Sequence, residues 1–158
     1  MKRITALALG ALILAACLAS AAAAGTGTQQ RPVAFLETVV TALVANDYDT
    51  AWQSLHPRHQ AVADEAEYVS CEQLSPIPGR LESLTPIRSR HKAVAVAGLA
   101  RRVRGVVVTF RLRLADPASG MTTALTLTAA TVRVGDRWAW MLPRARYDVY
   151  ERDACLPL

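Results

Sequence analysis

The sequence lacks the motifs on which several large enzyme classes depend. It contains no HExxH segment, no GxSxG segment and no glycine-rich phosphate loop, which are the signatures of zinc peptidases, serine hydrolases and nucleotide-binding enzymes. Its three cysteines include no CxxC pair, and structural zinc sites are usually built from such pairs. These absences leave no catalytic class that a motif supports by itself.

Acidic residues and histidine are absent from two long segments, Ala93–Leu114 and Met121–Gly135. A general base has to reach the proton that it removes, so these segments supply none. We therefore predict no catalytic residue there, and we expect no metal and no cofactor. If the domain is an enzyme after all, its acid–base groups come from the helices or the tail, where the candidates are Tyr48, Asp49, His56, Tyr68 and Tyr147.

Histidine offers one arrangement that resembles a metal site. His56 and His59 are three residues apart, a spacing that brings two side chains together on a helix. A third ligand would have to be Asp64 or His91, and nothing in the sequence places either one nearby. A histidine before Pro57 at a helix break is more often a turn residue, so we predict no metal site.

The N-terminus has the charge pattern of an export signal. Lys2-Arg3 precedes an apolar run from Ile4 to Ala16 that is interrupted only by Thr5, and this order is typical of signal peptides. Leu14-Ala15-Ala16-Cys17 then resembles the lipobox of bacterial lipoproteins, which implies cleavage before Cys17 and acylation of its sulfur. The predicted organisation is a signal peptide over 1–16, a lipidated Cys17 with a linker over 17–30, and one domain over 31–158.

Two other interpretations of the N-terminus remain open. Ala22-Ala23-Ala24 offers small residues for ordinary signal cleavage, which would give a secreted protein without a lipid. Alternatively, Ile4–Ala24 is long enough to stay as an uncleaved anchor. All three interpretations place the domain outside the cytoplasm, and nucleic acid is therefore not an expected partner.

The number of cysteines agrees with export. If Cys17 is lipidated or removed, the domain keeps Cys71 and Cys155. An oxidising compartment favours their pairing, so we predict a Cys71–Cys155 disulfide, with two unrelated buried thiols as the alternative.

The first half of the domain has helical periodicity. Pro32 suits the first turn of a helix, and apolar residues then recur at helical spacing: Phe35, Leu36, Val39, Val40, Leu43 and Val44. Asn46-Asp47 ends this helix, and Asp49 is a candidate cap for a short second one with Ala51, Trp52 and Leu55. A third helical stretch over Arg58–Val69 is expected to turn near Asp64, and Ser75–Pro78 is a loop.

The second half alternates with a period of two. Val106, Val108 and Phe110 face one way with Leu112 and Leu114, whereas Val107, Thr109, Arg111 and Arg113 face the other. This pattern indicates a half-buried antiparallel strand. Ala93–Ala97 is small and apolar, Asp116–Gly120 is a turn, and a second strand begins near Leu125. Gly135-Asp136 fits a two-residue hairpin, and Arg144–Leu158 is left as a final strand or an irregular tail.

Helices followed by strands predict an α+β domain, with the N-terminal helices packed on a curved antiparallel sheet. Charge divides in the same way. Residues 31–72 hold two arginines and seven acidic residues, a net charge of −5, whereas residues 80–113 hold nine basic residues and Glu82, a net charge of +8.

This order of elements resembles the nuclear-transport-factor-2-like superfamily, also called the ketosteroid-isomerase-like cone. The resemblance covers about Arg31–Leu142 and depends on Tyr48-Asp49-Thr50-Ala51-Trp52, on Leu55-His56-Pro57 and on the meander that ends in Gly135-Asp136-Arg137-Trp138. It implies a cone-shaped fold that opens on a pocket. Enzymes of this superfamily place acidic or histidine side chains on pocket-facing strand positions, and this sequence departs from that pattern.

The predicted function is that of a membrane-tethered lipoprotein whose domain binds a small apolar ligand or a protein partner without catalysis. Aromatic residues are the candidates for lining the pocket: Tyr48, Trp52, Phe110, Trp138 and Trp140. A small pocket enzyme of the isomerase or hydrolase type is one alternative, and an adaptor whose cone is packed shut is another. The basic run at Arg101, Arg102 and Arg104 is a candidate contact for anionic lipid or another acidic partner.

Overall fold

The fold was obtained as a computed structural model, which describes residues 31–155. The predicted signal peptide, Cys17 and the linker over 17–30 lie outside the described residues. Among the described helices, none combines the length and the hydrophobicity that crossing a bilayer requires.

Four helices precede the sheet. They are α1 (Pro32–Val44), α2 (Tyr48–Gln53), α3 (Pro57–Gln60) and α4 (Glu65–Gln73). The periodicity prediction for the first helix is confirmed, since α1 begins at Pro32 and buries the apolar positions named for it, except that Leu43 is half-buried. The predicted break near Asp64 is also confirmed, because Asp64 accepts a hydrogen bond from the Glu67 amide and caps α4.

The sheet has four antiparallel strands in the order β1-β2-β3-β4. They are β1 (Arg80–Val94), β2 (Val103–Ala115), β3 (Thr122–Val134) and β4 (Arg137–Trp140), and helix α5 (Arg144–Tyr150) follows. The domain is therefore α+β with an open antiparallel sheet. Gly135 has a φ of +62° in the two-residue loop between β3 and β4, as the Gly-Asp pair predicts.

The alternation predicted for β2 is confirmed in full. From Val106 onward, its even-numbered side chains lie on the inner face of the sheet, under the helices, and these five are buried: Val106, Val108, Phe110, Leu112 and Leu114. The main core consists of this row together with the apolar face of α1 and residues of α2, α4 and α5.

Cys71 and Cys155 form a disulfide, and their Cα atoms are 5.2 Å apart. The predicted pairing is therefore confirmed. The bond joins α4 to the segment that follows α5, across a sequence separation of 84 residues. Closing so long a loop stabilises a fold by about 4 kcal/mol in the chain-entropy model.

Two local predictions were wrong. Asp47, not Asp49, caps α2, because its carboxylate accepts from the Thr50 amide one turn later. The segment beyond Arg144 begins as helix α5 rather than as a strand or an irregular tail. The apolar stretch Ala93–Ala97 contains the last two residues of β1, a strand that begins at Arg80 and for which no bounds were predicted.

Candidate functional site

A cavity of about 640 Å³ lies beside the main core. It is bordered by residues of α1, the loop after α4, strand β3, the loop after β4 and helix α5, and it is open to solvent on one side. The lining includes Val39, Val40, Leu43, Leu127, Ala129, Trp140, Leu142 and Val149. Most of these side chains are aliphatic, so the wall offers dispersion contacts and few hydrogen bonds.

The apolar wall follows directly from two sequence patterns. Val39, Val40 and Leu43 belong to the apolar face of α1. Leu127 and Ala129 lie opposite Phe110 and Val108 of β2, which places them on the inner face of the sheet. Unlike their partners, they are only half-buried, and both border the cavity.

The cavity has one polar end, at the side of α4 and α5. Glu72 accepts hydrogen bonds from the Arg146 guanidinium at 2.7 Å and from the Tyr150 hydroxyl at 2.7 Å. The Glu72 and Arg146 side chains are each only 11% exposed, so this ion pair is largely shielded from water. Because both residues line the cavity, a ligand would meet a neutralised pair rather than a free charge.

Tyr68 stands beside this ion pair. It is fully buried, lines the cavity, and has a hydroxyl without a hydrogen-bond partner in the described part of the chain. Burial raises the pKa of Tyr68 well above its usual value, and the negative charge of Glu72 raises it further. The pKa of Tyr150 is raised by burial and by its hydrogen bond to Glu72. Both phenols therefore stay neutral at any physiological pH.

His59 is the other buried group that could exchange a proton. Its Nδ1 accepts from the Leu142 amide at 3.0 Å, and its Nε2 lies 3.3 Å from the Ala97 carbonyl oxygen. The first bond requires an unprotonated Nδ1, so the proton sits on Nε2 and is donated to Ala97. Burial lowers the pKa of His59 to about 4. Both ring nitrogens are thus occupied by backbone groups, an arrangement that joins α3 to two loops.

The five aromatic residues predicted to line a pocket do not lie together. Tyr48 and Trp140 line the cavity. Phe110 is fully buried within the main core, Trp52 donates its indole N–H to the Ala63 carbonyl at 2.9 Å, and Trp138 contacts the Arg133 guanidinium on the inner face near the β3–β4 hairpin.

The alternative acid–base candidates are also dispersed. Tyr48 donates its hydroxyl to Asn46 at 2.7 Å, and burial raises its pKa. His56 caps α3 by accepting from the Arg58 amide, and its pKa is lowered by burial and then by Arg137 and Arg58. Asp49 is exposed on α2, and the Tyr147 ring packs against His59. No two of these groups form a nucleophile–base pair within the hydrogen bonds described.

The structure does not assemble the histidine arrangement considered for a metal. The rings of His56 and His59 are 5.8 Å apart between centroids, and both nitrogens of His59 already contact the backbone. Among residues 31–155, no group of three or more His, Cys, Asp or Glu side chains is placed to hold a metal ion.

Sequence reasoning missed the polar end of the cavity. Glu72 and Arg146 are separated by 74 residues, and neither lies in a recognisable motif. The available signal was weak: Glu72 follows Cys71 on a helix whose next turn back carries Tyr68. The polar end could have been predicted only by placing the tail as a helix against α4.

Comparisons with known proteins do not assign the chain to a family. No family model matches it, and no curated protein matches it. Among solved structures, a SEC-C motif containing protein from Rhodopseudomonas palustris is similar at a TM-score of 0.47 and 15% identity, over 70% of this chain and 75% of that chain. A likeness at this level carries no functional argument.

Proposed function

We propose that this protein is an exported lipoprotein, tethered to a membrane by acylated Cys17, whose domain binds a small apolar ligand without catalysis. The observation that carries the proposal is the cavity of about 640 Å³ with its largely aliphatic lining. Cavities of this size and character are typical of sites for small molecules. Its single polar end at Glu72 and Arg146 suits an elongated ligand with a polar group at one end.

The chemistry around the cavity supports binding over catalysis. Glu72 is held by Arg146 and Tyr150, and His59 is held by two backbone groups. A general base needs a free lone pair directed at its substrate. The alternative of an adaptor that is packed shut requires a filled interior, and a cavity of this volume argues against it.

We further propose that the domain belongs to the nuclear-transport-factor-2-like superfamily. Supporting this proposal are the helices that precede the sheet and the antiparallel meander of long strands. A pocket between the helices and the inner face of the sheet is what a cone of that type would provide.

A cavity-filling substitution tests the ligand proposal. In Ala129→Trp, an indole projects from β3 into the cavity, whereas in Thr126→Trp the same group stands on the exposed outer face. Native mass spectrometry of the purified full chain with added N-phenyl-1-naphthylamine should show a one-to-one complex for the parent chain and for Thr126→Trp. Ala129→Trp should weaken that complex at least tenfold. Equal binding by all three chains, or binding by none, would refute the proposal.

The tether is tested separately, by mass spectrometry of the mature N-terminus. A diacylated or triacylated Cys17 is the expected result, because stable anchoring takes more than one acyl chain. A mature chain that begins at Gly25 would contradict it and leave the ligand proposal untouched.

A further inference from the structure

The outer face of the sheet is strongly basic. The register sets Arg88 opposite Thr109 and Arg90 opposite Val107, so these arginines share a face with Arg111 and Arg113 of β2. Lys92, opposite Gly105, continues the same row. All five basic side chains are exposed, and we call this set the basic face: Arg88, Arg90, Lys92, Arg111 and Arg113.

Almost no negative charge opposes the basic face. Glu82 is the one acidic residue within β1, β2 and β3, where it lies 3.8 Å from Arg113 and accepts from the Thr122 hydroxyl at 3.1 Å. Five basic residues less Glu82 leave a net charge of +4. Like charges repel across a sheet. A partner that brings negative charge would reduce this repulsion and would therefore bind the basic face favourably.

The basic face is also left open by the rest of the described chain. The helices contribute to the core on the inner side. On the outer side, a small apolar cluster around Val94, Val96 and Val132 covers only the end near the β1–β2 loop. The middle of the face is polar and exposed, and there Thr109 and Thr128 share a hydrogen bond across the strands.

Charge is separated across the thickness of the domain. The helical segment 31–72 has a net charge of −5, whereas the outer side of the sheet is positive. Near a negatively charged plane such a molecule turns its sheet toward the plane and its helices away. An anionic lipid leaflet is a plane of this kind, and each basic residue near it strengthens attachment about fivefold.

We propose that the basic face docks on the anionic lipid surface of the membrane to which the chain is tethered. This inference rests on the proposed tether at Cys17. The fourteen residues from Cys17 to Gln30 limit the separation of the tether and the domain to about 50 Å, the longest reach of a chain of that length. That reach keeps the domain beside the lipid headgroups, where the basic face would hold it in one orientation.

A second copy of the chain is a poorer occupant for the basic face. Its own acidic surface is the helical layer, so the contact would join a sheet to a helix layer. Such a head-to-tail contact does not close on itself and extends into filaments unless the rotation forms a ring.

Photocrosslinking of the full chain on vesicles tests the proposal. Benzoylphenylalanine in place of Thr126 reports on the outer face, and in place of Thr38, which is exposed on α1, it reports on the helical side. The vesicles contain equal amounts of phosphatidylglycerol and phosphatidylcholine, or phosphatidylcholine alone. On the anionic vesicles, and only there, we expect lipid adducts at position 126 to exceed those at position 38 at least fivefold. In 0.5 M NaCl the adducts at position 126 should fall to the level seen at position 38.

A matched pair of triple variants separates docking from net charge. Arg88→Ser, Arg90→Ser and Arg111→Ser together should lower the adduct at position 126 at least tenfold. The control triple variant removes the same charge from exposed positions outside the sheet: Arg31→Ser, Arg58→Ser and Arg152→Ser. It should change the adduct at position 126 by less than twofold. Retention of the Cys71–Cys155 disulfide in both variants controls for folding.

Three outcomes would overturn the proposal: equal adducts at positions 126 and 38, adducts that do not depend on lipid charge, or equal losses in the two triple variants. A protein adduct at position 126 in whole cells, without a lipid adduct, would assign the basic face to an acidic protein instead. Flotation of the chain with phosphatidylcholine vesicles alone reports on the tether, so failure of the tether is distinguishable from failure of docking.

Discussion

The two faces of the sheet differ more than any other two regions of the molecule. On the inner face, β2 buries an unbroken row of apolar side chains around Phe110. On the outer face, the neighbouring residues of the same strand are Thr109 and Arg111, which meet water and the polar side chains of β1 and β3. A single alternating segment thus supplies both the stability of the domain and its charged surface, and the two properties can be changed independently.

The largest expected difference between the faces is in packing. Phe110→Ala should lower the free energy of unfolding by about 3–5 kcal/mol, because it leaves a void in a fully buried site. Arg111→Ala, one residue along on the outer face, should change it by less than about 0.5 kcal/mol. Urea unfolding followed by circular dichroism measures both. Similar losses for the two variants would show that the outer face is covered in solution.

The helical side should also make the stability of the fold depend on pH, through His59. The pKa of His59 is lowered to about 4 in the folded protein, against about 6.5 in the unfolded chain. Below pH 6.5 the unfolded state therefore binds a proton that the folded state does not. Stability should fall as the pH drops from 6.5 to 4, by on the order of 2–3 kcal/mol, and then level off.

Two variants identify the group responsible for that slope. His59→Gln should reduce the dependence of unfolding free energy on pH between 6.5 and 4, leaving the part that comes from the lowered pKa of His56. His91→Gln, at an exposed position on β1, is the matched control for the loss of one histidine. An unaltered slope in His59→Gln would mean that another group binds the proton.

The smallest expected difference in unfolding free energy is between the shielded ion pair on the helical side and the exposed ion pair on the sheet. Glu72→Gln removes the charge that holds Arg146 in a shielded site and should cost about 2 kcal/mol of unfolding free energy. Glu82→Gln breaks the exposed pair with Arg113 and should cost less than about 0.5 kcal/mol. Thermal unfolding of both variants in 0.1 M and 1 M salt checks the comparison, and a larger effect for Glu82→Gln would contradict it.

The sequence predicted those elements that have one buried side and one exposed side. In α1 the apolar period is visible because every third or fourth position is buried, and in β2 because every second position is buried. β1 had no such signal, since from Pro86 to Ala93 its residues are exposed on both faces. Helix α5 is short and begins at Arg144, after Pro143, which provides no side-chain cap. Its buried Tyr147 and Tyr150 give only one helical spacing.

The candidate site was harder to predict than the fold. Its aliphatic lining comes from residues that also look like core, such as Val40 and Leu127, and only their placement leaves a space between them. Its polar end depends on the contact between α4 and α5. That contact joins residues far apart in sequence, for which no local pattern exists.

The disulfide has a consequence for the accuracy of folding. Three free thiols can form three different pairs, and two of those pairs would be wrong for this chain. Exchange between them needs a thiolate to attack the bond already made. If the Cys17 sulfur carries the proposed lipid through a thioether bond, only Cys71 and Cys155 can react, and one pairing remains. The lipid would then act as a protecting group during oxidation, and a Cys17 left unmodified would be a source of mispaired chains.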